Sequence, residues 1–245
     1  MMQREIHMHP QGLLESLQFR PGDFGKIALV SGQQHRAQMC LKNLENPVKN
    51  FTFLGYTFWT GMYKGKKVTV GNGGFYAPDS AFVTELLAFG GIDVFIRLGS
   101  CGALREDIKI GDYVLAQDII RGDGVTKYYV EDDFVSKVDE NISENIKQVF
   151  SKESTVHRGG IWTTDAIFKE TKDIVNSYIK KGATAVDMVT SPFVTVANLY
   201  QKKAAAILVV SDNLITGEMG FTDYRFFTSE LKMTDLAFEV VEKLS

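Results

Sequence analysis

Apolar residues along this chain follow two alternating rhythms: short unbroken runs, and longer stretches spaced by threes and fours. The runs predict buried strands, and the wider spacing predicts helices with one face in a core. "KIALVSG" (26–32) is the first run and ends on a glycine, and residues 34–45 follow with helical spacing through Met39 and Leu44. The segment 52–74 is β-rich, with "YKGKK" as a hairpin turn. Pro78 opens a helix carrying Phe82, Leu86 and Phe89, and a strand over 93–98 precedes a second β region, "DIKIGDYVLAQDIIRGDG". Ile142, Ile146, Val149 and Phe150 mark the next amphipathic helix. A strand at "GGIWTTD", a helix over 170–181 and a strand at "ATAVDM" follow in turn. Ser191-Pro192 launches another helix, with proline at its favoured first position. "AAAILVVSD" (204–212) is the clearest buried strand, and Met233, Leu236, Ala237, Val240, Val241 and Leu244 share one face of the last helix.

No repeat, linker or low-complexity stretch divides the sequence, so residues 1–245 read as one α/β domain around a largely parallel or mixed sheet. Ligands of such sheets bind beyond the carboxyl ends of strands. Three such ends are polar or glycine-rich: Gly32, Arg97 to Gly102, and Ser211-Asp212.

Charge narrows the partners. Lys and Arg total 27 against 30 Asp and Glu, a net charge of −3 with no basic stripe, which argues against a nucleic-acid partner. Cys40 and Cys101 belong to no CxxC pair, so neither a disulfide framework nor a metal site is expected. The first residues, "MMQREIHMHPQG", lack an apolar core, and no apolar run reaches membrane-spanning length; a cytoplasmic protein with no membrane partner is the expectation.

The first two strand ends carry the chemistry. "SGQQHR" supplies Gly32 and Arg36, and "RLGSCG" supplies Arg97, the Ser100 hydroxyl and glycine amides. Two guanidiniums, a hydroxyl and free N–H groups suit a phosphate oxyanion, each charged hydrogen bond contributing roughly 1.5–3 kcal/mol. The plainer alternative has Arg97 paired with a carboxylate such as Asp93 or Glu85, and the glycines serving a turn.

"LVSGQQHRA", "IRLGSCGAL", "VDM" and "VVSDN" occur in an order and spacing that resemble the nucleoside phosphorylases of the purine nucleoside and uridine phosphorylase type. The resemblance implies a three-layer α/β/α sandwich around a mixed, partly barrel-like sheet. It also implies a homo-oligomer of dimer units, often a hexamer, and cleavage of a nucleoside by inorganic phosphate to a free base and a pentose 1-phosphate. Phosphate is then a co-substrate, and no cofactor is needed. Carried over by position, Gly32, Arg36, Arg97 and Ser100 correspond to the phosphate set, and Asp212 to the acid that protonates the leaving purine. Met188 corresponds to the methionine packed on the ribose, with Asp187, Val189 and Ser211 beside the nucleoside. Cys101, Gly102 and either Ile167 or Phe168 correspond to the base pocket. His9, or alternatively His7, corresponds to a histidine that reaches a neighbouring subunit's ribose, whereas His35 and His157 read as surface or structural.

The chain also departs from the family pattern. Val189 stands where relatives place a ribose-gripping glutamate, with Thr190 the nearest candidate to compensate. Ile215 falls where purine enzymes carry an arginine, and Leu54 where a neighbour's arginine reaches the phosphate. "GNGGFYAP" approximates the glycine-rich ribose loop, and Thr171 and Asp173 replace the Gln and Arg of uridine enzymes. A purine nucleoside is the expected substrate. Uridine phosphorolysis, a methylthioadenosine-type nucleosidase using water, and an impaired nucleoside-binding homologue are the alternatives. A serine hydrolase is set aside, since "LGSCG" lacks the first glycine of the nucleophile elbow.

Overall fold

The computed structural model describes residues 7–244. In chain order the elements are α1 (Pro10–Ser16), β1 (Ile27–Ser31), α2 (Gln34–Cys40), β2 (Glu45–Phe53), β3 (Tyr56–Tyr63), β4 (Lys66–Asn72), α3 (Ala77–Phe89) and β5 (Val94–Ala103). There follow β6 (Tyr113–Gly122), α4 (Glu140–Phe150), β7 (Val156–Thr164), α5 (Lys172–Ile179), β8 (Ala183–Asp187), α6 (Thr190–Leu199), β9 (Lys203–Asn213), β10 (Glu218–Met219) and α7 (Tyr224–Lys243).

The most apolar runs lie deepest. Ala204 to Val210 of β9 are fully buried, as are Ala28 to Val30 of β1, because both strands are covered on two faces. The strands form one ten-stranded mixed sheet in the order β10-β9-β6-β7-β8-β5-β1-β4-β3-β2. An additional parallel pairing of β5 with β9 closes β5, β8, β7, β6 and β9 into a five-stranded ring, from which β1, β4, β3 and β2 extend. The α/β sandwich with a partly barrel-like mixed sheet is therefore present. Six of its helices fall into two packed groups, α3 with α6 and α1, and α7 with α2 and α4, while α5 packs on β8.

Several boundaries differ from the sequence reading: α1 and most of β2 have no counterpart in it, and Pro192 is the third residue of α6, not the first. The helix expected over 34–45 stops at Cys40 and continues as a 3-10 turn, Leu41–Asn43, since the chain must leave α2 to enter β2. The strand expected over 93–98 does not end at Arg97 but runs on to Ala103. Gly99 and Gly102 are strand residues because nothing larger fits. A Cβ at Gly99 would collide with Leu208 and lie 2.8 Å from Nη2 of Arg97. At Gly102 it would meet Leu214 at 2.5 Å and Asp212 Oδ2 at 3.0 Å. A bulge between Cys101 and Gly102 shifts the register against β9, and the last two residues of β5 also pair with β8. That irregularity bends the strand where the ring closes. No helix among the described residues is long and apolar enough to cross a membrane.

Candidate active site

Loops and strand ends of the ring enclose a cavity of about 380 Å³. The turn from β1 into α2 contributes Gly32, Gln33 and Arg36, and β5 contributes Arg97, Gly99, Ser100, Cys101 and Gly102. Val186, Asp187, Met188 and Val189 enter from the β8–α6 junction, and Ser211 and Asp212 from the end of β9. Ile167 and Phe168 come from the 3-10 turn Ile167–Lys169, followed by Glu170. Thirteen residues singled out by sequence thus line one cavity; His9 does not. Its Nδ1 accepts from the Gln11 amide at 3.2 Å, capping α1, and its ring meets Phe89 edge-on at 5.0 Å. His7 is also absent from the lining, His35 contacts Glu230, and His157 contacts Asp112.

Neither guanidinium is free. Arg36 is buried, its Nε and Nη2 donating to Glu230 Oε1 at 3.2 and 2.6 Å and its Nη1 to the Leu98 carbonyl at 2.8 Å. Arg97 donates from Nη2 to Asp187 Oδ2 at 3.0 Å and from Nε to Thr190 Oγ1 at 3.1 Å. The carboxylate pairing that the plainer reading foresaw is real, but its partner is Asp187. Asp93 instead binds Lys26 and Lys202, and Glu85 accepts from Tyr129 and Tyr200. Burial pulls the Arg97 pKa down and Asp187 opposes that pull, which is why a buried guanidinium keeps a carboxylate at its side.

Asp187 is saturated. Besides Arg97 it accepts from the Thr163 hydroxyl at 2.8 Å, the Thr190 hydroxyl at 2.6 Å and the amide of Thr190, the first residue of α6. The Thr190 hydroxyl is spent on the same network and is fully buried, so it does not replace the glutamate missing at Val189. The loop after β4 is pinned differently. Asp79 accepts from the Phe75 and Tyr76 amides at 3.1 and 3.2 Å and from Tyr56, while Gly74 adopts φ +83° beside it. Phe75 and Tyr76 consequently face the cavity.

Two carboxyls, Asp212 and Glu170, border the cavity on the other side. Burial raises the Asp212 pKa above the usual range, opposed by a 2.7 Å hydrogen bond from Ser211. Burial, reinforced by Asp212, pushes Glu170 up to about 7. Cys101 is buried beside Asp187 and Asp212, and burial drives its thiol so far up that it stays protonated. Among the described residues no cluster of His, Cys, Asp or Glu is arranged to hold a metal.

Sequence reasoning missed Gln33, Tyr76, Glu170, Phe221 and the charge partner Glu230. A signal for Glu230 existed: it stands on the 233, 237, 240, 244 stripe of α7, where a carboxylate needs a buried cation opposite. Glu170 and Phe221 lie in irregular segments with no periodicity to read.

Arg36 on α2, Arg97 and the glycines of β5 and Asp212 at the end of β9 thus border one cavity. The chain belongs to the phosphorylase superfamily, whose profile matches residues 26–239. It is 33% identical over 232 residues to a DeoD-type purine nucleoside phosphorylase of Colwellia psychrerythraea, spanning 92% of this chain and 97% of that one. A DeoD-type enzyme of Jannaschia sp. is 32% identical over 202 residues, 81% and 86% of the two chains. In fold it resembles a uridine phosphorylase from Vibrio fischeri (TM-score 0.84, 22% identity, 93% and 96% covered). It also resembles a purine nucleoside phosphorylase from Toxoplasma gondii (TM-score 0.83, 18% identity, 98% and 96% covered). The family that the motifs resemble is the family of the chain.

Proposed function

We propose that this chain is a phosphorylase that cleaves a purine nucleoside with inorganic phosphate, giving free base and pentose 1-phosphate. The observation that carries the reading is Asp212, an acid with a raised pKa in the same cavity as Arg36 and Arg97. A phosphate oxygen attacks C1′, the bond from C1′ to the base nitrogen breaks, and its electron pair leaves with the base. The carboxyl of Asp212 supplies a proton to the imidazole nitrogen of the departing purine. Arg36, Arg97, Ser100 and the Gly32 backbone hold the anion, Met188 packs the sugar, and Cys101, Gly102 and Ile167 or Phe168 border the base. The DeoD-type relatives support purine over uridine. The same reading carries a homo-oligomer of dimer units, in which His9 belongs to a neighbour's site.

The test is base release from inosine, adenosine, methylthioadenosine and uridine, with and without phosphate. Phosphate-dependent release, fastest from a purine nucleoside, is expected. Asp212→Asn lowers kcat by roughly 10²–10⁴-fold with little change in KM, because a proton donor acts in the transition state. An undiminished kcat removes Asp212 from the chemistry.

Hydrolysis is the second reading, favoured by one observation: Glu230 and Asp187 already neutralise both guanidiniums. Equal release with and without phosphate decides for it.

A further inference from the structure

Beyond Asp212 a second cavity of about 590 Å³ abuts the first, and Ile167, Phe168, Glu170, Asp212 and Phe221 border both. None of the anion-side residues borders it. Val175 and Asn176 of α5 and Leu214, Ile215 and Met219 of the β9–β10 hairpin form much of its remaining surface, and Thr171, Lys172, Asn213 and Gly217 give it a polar border. Val175, Leu214, Ile215 and Met219 make part of that surface apolar. Either cavity alone has the size of an ordinary small-molecule site, on the order of 300–1,000 Å³. Their junction is therefore more room than an unsubstituted nucleoside fills.

The geometry of a purine says what would reach that room. The imidazole N7 and the atom attached at C6 lie side by side on one edge of the base. A purine that offers N7 to Asp212 turns its 6-substituent toward the residues that border both cavities. Glu170 is one of these, a hydrogen-bonding group with no arginine or lysine paired to it among the described residues.

We propose that the second cavity is a subsite for purines bearing an apolar group on the 6-amino nitrogen, whose remaining N–H donates to Glu170 while the group packs among Val175, Ile215 and Met219. This rests on the purine reading above and names its substrate class: 6-alkylamino- or 6-arylalkylaminopurine nucleosides. Burial against Val175, which belongs to a small core cluster with Leu104, Trp162, Ala183 and Val186, gives the subsite one rigid wall. The hairpin, with Met219 and Phe221 exposed, gives it an adaptable one.

Calorimetric binding of two free bases, adenine and 6-benzylaminopurine, to the wild type, Ile215→Trp and Asn176→Trp tests the proposal. The two tryptophans fill the cavity from opposite sides, and Asn176 is exposed, so one variant survives even if the other fails to fold. The wild type is expected to bind the benzylamino base at least tenfold more tightly than adenine, and each tryptophan to bring that ratio near one. A wild-type ratio at or below one overturns the subsite. A ratio unaffected by both tryptophans does so as well, since the benzyl group then sits elsewhere. The corresponding ribonucleosides, assayed with phosphate, separate this inference from the one beneath it. Cleavage of adenosine without cleavage of the benzylamino nucleoside sinks the subsite alone. Failure to cleave any purine nucleoside sinks the phosphorylase reading and leaves the binding ratio to judge the subsite.

Discussion

Glu230 decides how much positive charge a phosphate meets at Arg36. With its carboxylate 2.6 Å from Nη2, the buried pair is neutral, and the anion must share a guanidinium already in use. Removing one partner of a buried pair leaves the other uncompensated, at a cost of about 3–5 kcal/mol. Glu230→Gln should therefore lower the melting temperature by about 10 °C. Phosphate should restore more of that loss in the variant than it adds to the wild type, because binding stabilises the folded state by mass action. Thermal melts across a phosphate series check this, and an equal phosphate-induced shift in both proteins refutes it. At this scale the sequence was informative wherever a residue type is costly to bury or hard to replace: Arg36, Arg97, Gly102 and Asp212. It was silent on Glu170, whose raised pKa comes first from burial and then from Asp212, both supplied only by folding.

Among elements, legibility followed hydrophobic continuity. β9 and β1, covered on both faces, are unbroken apolar runs and were readable to within a residue or two. The second half of β5 was not, because Gly99 and Gly102 carry turn propensity, and only the side chains crowding them explain their extended backbone. The β2–β3 hairpin shows the reverse conflict. Its two-residue turn places Leu54 at φ +49° and Gly55 at φ +86°, a type I′ geometry that asks for asparagine at the first position. Leu54 is 72% exposed and gains nothing from burial in this chain. Leu54→Asn should raise stability by about 1 kcal/mol, the order of the left-handed penalty it relieves, a melting-temperature gain of about 2–4 °C. Calorimetry that finds no gain, or a loss, would refute the strain assigned to Leu54.

For the whole molecule, the site joins two kinds of carboxyl: Asp187 and Glu230, each with a guanidinium at its side, and Asp212 and Glu170, whose burial raises their pKa. Glu170 unfolds to an ordinary carboxyl near 4.5 but titrates near 7 when folded, so between those values the folded protein holds a proton that the unfolded chain has released. Its stabilising contribution is complete below about pH 4.5 and is lost as pH rises through 7. Asp212, shifted in the same direction, adds to the trend. Melting temperature should fall between pH 5 and 8, and Glu170→Gln should flatten that slope; an identical slope in the variant would place Glu170 in ordinary solvent. A single strand, β5, carries both Arg97 and Gly102, pinned along its length by β9 and at its tip by β8. At about 3.3 Å per residue, it works as a ruler of fixed length between the anion and the base. The α5 wall and the β9–β10 hairpin hang outside that ruler, so the range of bases accepted can drift over generations of sequence change without recalibrating the reaction.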